Sequence, residues 1–207
     1  MRKFILISMI LLLAGSSAFA FDFLSHPDPI KKGSLMISPT FNFGLYGYGG
    51  LGFYSGYGGG GRVILGGTVS IEYALPINVG LVVGGEIGIA VNPGKKTWGY
   101  TPIAIPIMGK ISWHPNFEVK GLDPYTVFKI GPTIGFYAGG GSGSGSGKAG
   151  GGVSYGWDVG CRYFFNDAIG IFGELGYDGY YFRTGPSGYR YFNHMHKFLS
   201  IGVTFLI

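Results

Sequence analysis

From residue 33 onward, large apolar side chains alternate with small or polar ones, and the alternation restarts eight times. Successive side chains point to opposite faces only in an extended strand, so a period of two specifies strands with one apolar and one small, polar face. The first runs about 33–46, with Leu35, Ile37, Phe41, Phe43 and Leu45 against Ser34, Ser38, Thr40, Asn42 and Gly44. The second, about 61–75, sets Val63, Leu65, Val69, Ile71 and Tyr73 against Arg62, Thr68, Ser70 and Glu72. The third (about 79–91) opposes Leu81, Val83, Ile87 and Ile89 to Gly84, Glu86 and Gly88, and the fourth (about 102–114) opposes Ile103, Ile105, Ile107, Ile111 and Trp113 to Lys110 and Ser112. In the fifth (about 125–138), Phe128, Ile130, Ile134 and Phe136 face away from Lys129, Thr133 and Gly135. The sixth (about 152–165) has Val153, Tyr155, Trp157, Val159 and Tyr163 outward, with Ser154, Asp158 and Arg162 inward. The seventh (about 169–182) has Ile169, Ile171, Leu175 and Tyr177 outward, with Glu174 and Asp178 inward. Leu199, Ile201, Val203, Phe205 and Ile207 mark the eighth, against Ser200, Gly202 and Thr204.

Composition narrows the choice further. The chain has 42 glycines in 207 residues, 17% aromatics and only 12% charged residues. So much glycine disfavours helices, at about 1 kcal/mol per position relative to Ala. The aromatic content excludes a charged disordered chain. One cysteine, Cys161, allows no intramolecular disulfide and no cysteine metal cluster.

Residues 1–20 read as an export signal. Arg2 and Lys3 precede an apolar core from Phe4 to Ala14, and Ala18-Phe19-Ala20 forms a cleavage site after Ala20. That core is too short for the ~20 residues of a membrane-spanning helix. Removing its two basic residues from the total of 15 leaves 13 basic against 10 acidic, a formal +3 for the chain from 21. The expected organisation is a signal peptide (1–20), a periplasmic N-terminal segment (21–32) and a barrel (33–207).

Connections alternate in length. Residues 76–78 and 166–168 are tight and 115–124 moderate, whereas 47–60, 92–101, 139–151 and 183–196 are long. Short turns on one side, long loops on the other and an even strand count are the pattern of an outer-membrane barrel with both termini periplasmic. The expected fold is therefore all-β: an eight-stranded antiparallel transmembrane up-and-down barrel in a bacterial outer membrane. A secreted β-sandwich is the competing architecture, and the small, glycine-rich second face argues against it.

These patterns, with the ending Leu199-Ser200-Ile201-Gly202-Val203-Thr204-Phe205-Leu206-Ile207, make 33–207 resemble the small outer-membrane barrels of the OmpA, OmpX and OmpW type. The resemblance implies recognition of the last strand by the barrel assembly machinery. It implies a fold and a location, and no activity.

Candidate functional residues follow from phase. Arg62, Glu72, Glu86, Lys110, Lys129, Asp158, Arg162 and Glu174 all fall on the small face, four basic and four acidic. Inside a barrel just wide enough to be filled by side chains, they should pair across the lumen and plug it, or gate a narrow polar path. Pro102, Pro106 and Pro132 interrupt neighbouring strands and mark a possible lateral opening, because proline cannot donate to a ladder. In OmpW-like barrels such interruptions resemble an exit for small apolar compounds.

The leading expectation is a structural or narrow porin-like barrel with a charge-plugged interior. The rivals are the apolar conduit and a surface adhesin or ligand-binding barrel, whose loops 47–60 and 139–151 would contact ligand. No enzyme, cofactor or metal site is expected: His194 and His196 have no acid beside them, and His26 and His114 no motif partner. Lys95, Lys96, Lys148, Arg183 and Arg190 make the loops basic, suited to lipopolysaccharide-type head groups and outer-membrane lipids. Charge alone gives nucleic-acid binding no support. Trp98, Tyr100, Trp113, Tyr125, Tyr163 and Phe165 are expected in interfacial girdles.

Overall fold

In the computed structural model the described residues are 30–46, 62–77, 80–91, 101–115, 119–138, 149–184 and 191–207. They form β1 (Leu35–Tyr46), β2 (Arg62–Ala74), β3 (Leu81–Val91), β4 (Thr101–Trp113), β5 (Leu122–Ala138), β6 (Gly150–Phe164), β7 (Ile169–Thr184) and β8 (Tyr191–Leu206). Each strand pairs antiparallel with the next, and β1 pairs with β8, so the sheet closes into an eight-stranded barrel. Closure satisfies the two edges that an open sheet would leave unpaired.

The start of β1 and the last residue meet at one rim, where Leu35 and Ile207 exchange backbone hydrogen bonds of 3.1 and 2.8 Å. The turns between β2 and β3, β4 and β5, and β6 and β7 share that rim, called here the turn side. In the last of them, Asn166 Oδ1 accepts from the amides of Ala168 and Ile169, both at 2.9 Å. Gly121 before β5 has φ 78, and a Cβ there would stand 2.7 Å from the Phe164 carbonyl oxygen, so the turn requires glycine. The long connections leave from the opposite rim, the loop side.

The alternation resolves as read. Ile71, Ile87, Ile111, Phe128, Ile130, Trp157 and Leu175 all lie exposed on the outer face, Ile130 and Leu175 at 67% and 66%. Cys161 is exposed on the same face. The inner face is packed because glycines make room for large neighbours. A Cβ on Gly135 would overlap the Phe182 ring, one on Gly160 the Tyr125 ring, and one on Gly202 the Phe172 ring. Glycine here is a packing device.

Several boundaries shift. β4 begins at Thr101 and β6 at Gly150, and β7 and β8 extend to Thr184 and Tyr191, which shortens the last connection to 185–190. Arg183 thus lies exposed in β7, and the backbone at His194 and His196 pairs with Tyr181 and Gly179 as part of β8. Tyr125 is corrected outright: it is 3% exposed and interior, because it shares the odd phase of Lys129 on β5. Trp113, Tyr163 and Phe165 do lie on or beside the turn-side rim, with Tyr163 and Phe165 in a T-shaped contact at 5.6 Å. Ala20, loop 47–60, Lys95, Lys96, Trp98, Tyr100, Lys148 and Arg190 lie outside the described residues, as does the Arg62 side chain.

Candidate functional site: the charged lumen

The strands bring Glu72, Glu86, Lys110, Lys129, Asp158, Arg162 and Glu174 together inside the barrel, none more than 8% exposed. Three charges that were not in the candidate set join them: Asp123, Asp178 and Lys197, at 0, 0 and 3% exposure. Among the described side chains, four cations therefore face six carboxylates, in place of the expected four and four.

Lys129 is the hub. Its Nζ reaches Asp158 at 2.5 Å, Asp178 at 3.3 Å, Glu174 at 3.4 Å and Glu86 at 3.7 Å. Lys197, from β8, contacts three of the same carboxylates: Asp178 at 2.6 Å, Asp158 at 3.2 Å and Glu174 at 3.6 Å. Lys110 joins Glu86 (3.5 Å) to Glu72 (3.1 Å), and Arg162 extends the chain to Glu72 (3.8 Å) and Asp123 (3.3 Å). The ion pairs thus run from β2 across to β8.

Two reciprocal glycines build the hub. Asp158 lies opposite Gly176 and Asp178 opposite Gly156 in the β6–β7 pairing. A Cβ at Gly156 would overlap Asp178 Oδ1, and one at Gly176 would overlap Asp158 Oδ1. Each carboxylate therefore folds over the other strand's glycine. Glu86 Oε1, Asp158 Oδ1 and Asp178 Oδ1 have no hydrogen-bond partner among the described residues.

Nearer the turn side, His114 Nδ1 bonds Asp123 Oδ1 at 2.7 Å, and its Nε2 lies 2.9 Å from Ser112 Oγ. A carboxylate only accepts, so Nδ1 carries the hydrogen, and Nε2 faces the serine hydroxyl. That is the bonding order of a nucleophile, base and orienting acid. All three side chains are nevertheless at most 2% exposed, and Tyr125 stacks on the imidazole at 5.0 Å. The relay is enclosed between the barrel wall and the Tyr125 ring. It ties β4 to β5 and gives three buried polar groups their partners.

Apolar clusters lie on both sides of the charges. Ile64, Ala90, Ala104, Met108, Tyr180 and Phe182 fill the loop side, and Ile30, Met36, Ala74, Val82 and Phe164 fill the turn side. A recess of about 730 Å³ lies on the outer face, walled by Ile111, Phe128, Ile130 and Trp157.

The prolines divide by face. Pro102 and Pro106 are buried on the inner face of β4, and Pro132 is exposed on β5. Pairing between β4 and β5 runs to Pro106–Thr133 and resumes at Gly109–Ile130; between β3 and β4 it lapses from Ile87–Ile107 to Ala90–Ala104. Register is unchanged across both gaps, so they are interruptions in a closed wall.

Sequence reasoning missed Lys197 because of a β-bulge. Phe43 pairs with Leu199 but Gly44 with Lys197, so Phe198 is the extra residue. Counting back from Ser200 in steps of two puts Lys197 on the outer face, and the bulge returns it to the lumen. Asp123 and His114 did carry a signal, since each continues the inward phase of its strand by one step.

No protein-family model matches the chain, and no curated protein matches it in sequence. Solved structures do. Neisserial surface protein A superposes with a TM-score of 0.55 at 12% identity, covering 84% of this chain and 97% of that one. The outer membrane protein OprG from Pseudomonas aeruginosa gives 0.50 at 13% identity, covering 88% and 98%. A major outer membrane protein from Thermus thermophilus gives 0.50 at 14%, covering 84% and 99%. The chain has the fold of the small eight-stranded outer-membrane β-barrels.

Proposed function

We propose that the protein is an integral barrel of a bacterial outer membrane whose lumen is closed, a structural protein with no catalytic role. One observation carries this reading: ten charged side chains interlock across the lumen, with an apolar cluster on either side. A continuous aqueous path would need that network to break, and separating buried ion pairs is costly. The membrane assignment rests on the outer face, where exposed Ile, Val, Leu and aromatic side chains form a surface that water would not tolerate but lipid would. Strands of 11–17 residues are long enough for the ~9–11 needed to cross the hydrocarbon. Its partners under this reading are outer-membrane lipids, lipopolysaccharide-type head groups and the barrel assembly machinery.

The test is solute exchange. Vesicles carrying the folded barrel should shrink in hyperosmotic arabinose and fail to re-swell, as protein-free vesicles do. Re-swelling that depends on the folded barrel would refute the closed lumen. The paired gaps around Pro106 favour one second reading, lateral passage of small apolar compounds. Replacing Pro106 and Pro132 with Val should then slow apolar uptake, and an unchanged rate would remove the reading.

A further inference from the structure

Ile30, the first described residue, precedes β1 yet is 1% exposed. The residues after it make a tight reversal. Ser34 N donates to Lys31 O at 3.0 Å, and Lys31 N donates to Ser34 Oγ at 3.0 Å. Gly33 occupies the third position with φ 84, which a type II turn demands and other residues resist. The turn is fastened to the barrel wall: Gly33 N donates to Ala74 O and Ala74 N donates to Ser34 O, both at 2.9 Å. The reversal turns Ile30 back toward the barrel mouth, and its side chain enters a seat of Met36, Ala74, Val82 and Phe164 beside Leu206.

The composition of that seat is informative. Met36 comes from β1, Leu206 from β8, Ala74 from β2, Val82 from β3 and Phe164 from β6. Met36 and Leu206 pair across the seam where the barrel closes on itself. The seat is therefore complete only in a closed barrel, and no strand supplies the residue that fills it. Lys31, Lys32 and Gly33 are exposed, so the segment is held by Ile30 and the turn.

We propose that residues 30–34 are an intramolecular latch: Ile30 docks in the turn-side mouth and seals the lumen from that side. Occupancy by the chain's own segment follows from continuity, since the turn that is fastened to β2 delivers Ile30 to the seat.

The experiment is thiol accessibility in the folded full chain with Cys161→Ser and a reporter at Val82→Cys. Maleimide labelling should be slow in this parent. Ile30→Ala should accelerate it at least tenfold, and so should Gly33→Ala, which keeps the isoleucine and strains the turn. Heat-shifted gel mobility verifies that each variant is folded. A loop-side reporter, Ala104→Cys, should keep its parent rate. Parent-like labelling of Val82→Cys in both variants overturns the latch. Equal acceleration at the loop-side reporter also overturns it, because the barrel would then have loosened everywhere.

Discussion

Removing Lys129 tests the charge network where it is most concentrated. Four carboxylates lie within 3.7 Å of its Nζ. Within this cage the other ammonium is Lys197, which reaches three of them, and Lys110 reaches the fourth, Glu86. Lys129→Met keeps most of the stem volume, so the loss is electrostatic. Four carboxylates served by three ammonium groups become four served by two, and Asp158, Asp178 and Glu174 are left with Lys197 among the described side chains. Breaking a buried pair from one side costs about 3–5 kcal/mol, because the partner stays buried without compensation. Glu86 Oε1, Asp158 Oδ1 and Asp178 Oδ1 already lack hydrogen-bond donors among the described residues, so the upper half of that range is expected. With a urea slope of about 2 kcal/mol/M, the unfolding midpoint in lipid vesicles should fall by about 2 M. Adding Asp178→Asn to Lys129→Met removes one surplus negative charge at nearly constant shape and should recover at least half of the loss. A midpoint for Lys129→Met within about 0.3 M of the parent would refute the reasoning, and so would a double variant less stable than the single one.

Two further outcomes follow from packing and from the outer face. Gly135→Ala meets the Phe182 ring and should cost about 1–3 kcal/mol through overpacking, whereas outward Gly85→Ala, with its nearest atom at 3.5 Å, should be neutral within about 0.5 kcal/mol in the same urea titration. Ile130→Lys places a charge on the outer belt, at an isoleucine in the middle of β5 that is 67% exposed, and should cost about 2–4 kcal/mol in vesicles; an unchanged midpoint would mean that this face does not meet lipid.

How much of this was legible in the sequence depends on the distance over which the information acts. Alternation is local, so the outer belt of Ile71, Ile87, Phe128 and Trp157 could be read from phase alone. Phase also assigned Glu72, Glu86, Lys110, Lys129, Asp158, Arg162 and Glu174 to the lumen. It could not give partners, which depend on the stagger between strands and on glycines such as Gly156 and Gly176 in the neighbouring strand. Nor could it survive the bulge at Phe198, where one added residue reverses the face of everything before it and hides Lys197. Tyr125 misled for a different reason. Aromatics near strand ends suggest an interfacial girdle, but Gly160 leaves a hollow inside the barrel that a ring can fill. The relay of Ser112, His114 and Asp123 joins two strands through a turn, and short sequence motifs do not record such a meeting. Nothing in the sequence marked Ile30 as a docking residue, because Pro27, Asp28 and Pro29 precede it and Lys31 and Lys32 follow, and only the turn at Gly33 shows where it goes.

The closed lumen is tested most directly by planar-bilayer conductance of the folded barrel, with heat-shifted gel mobility as proof of folding. The account predicts a silent membrane at ordinary voltages, since charges interlocked from Glu72 to Lys197 leave ions no path. Reproducible unitary steps from the folded parent, enlarged by Glu86→Gln or Lys110→Met, would contradict it and make the same network a gate.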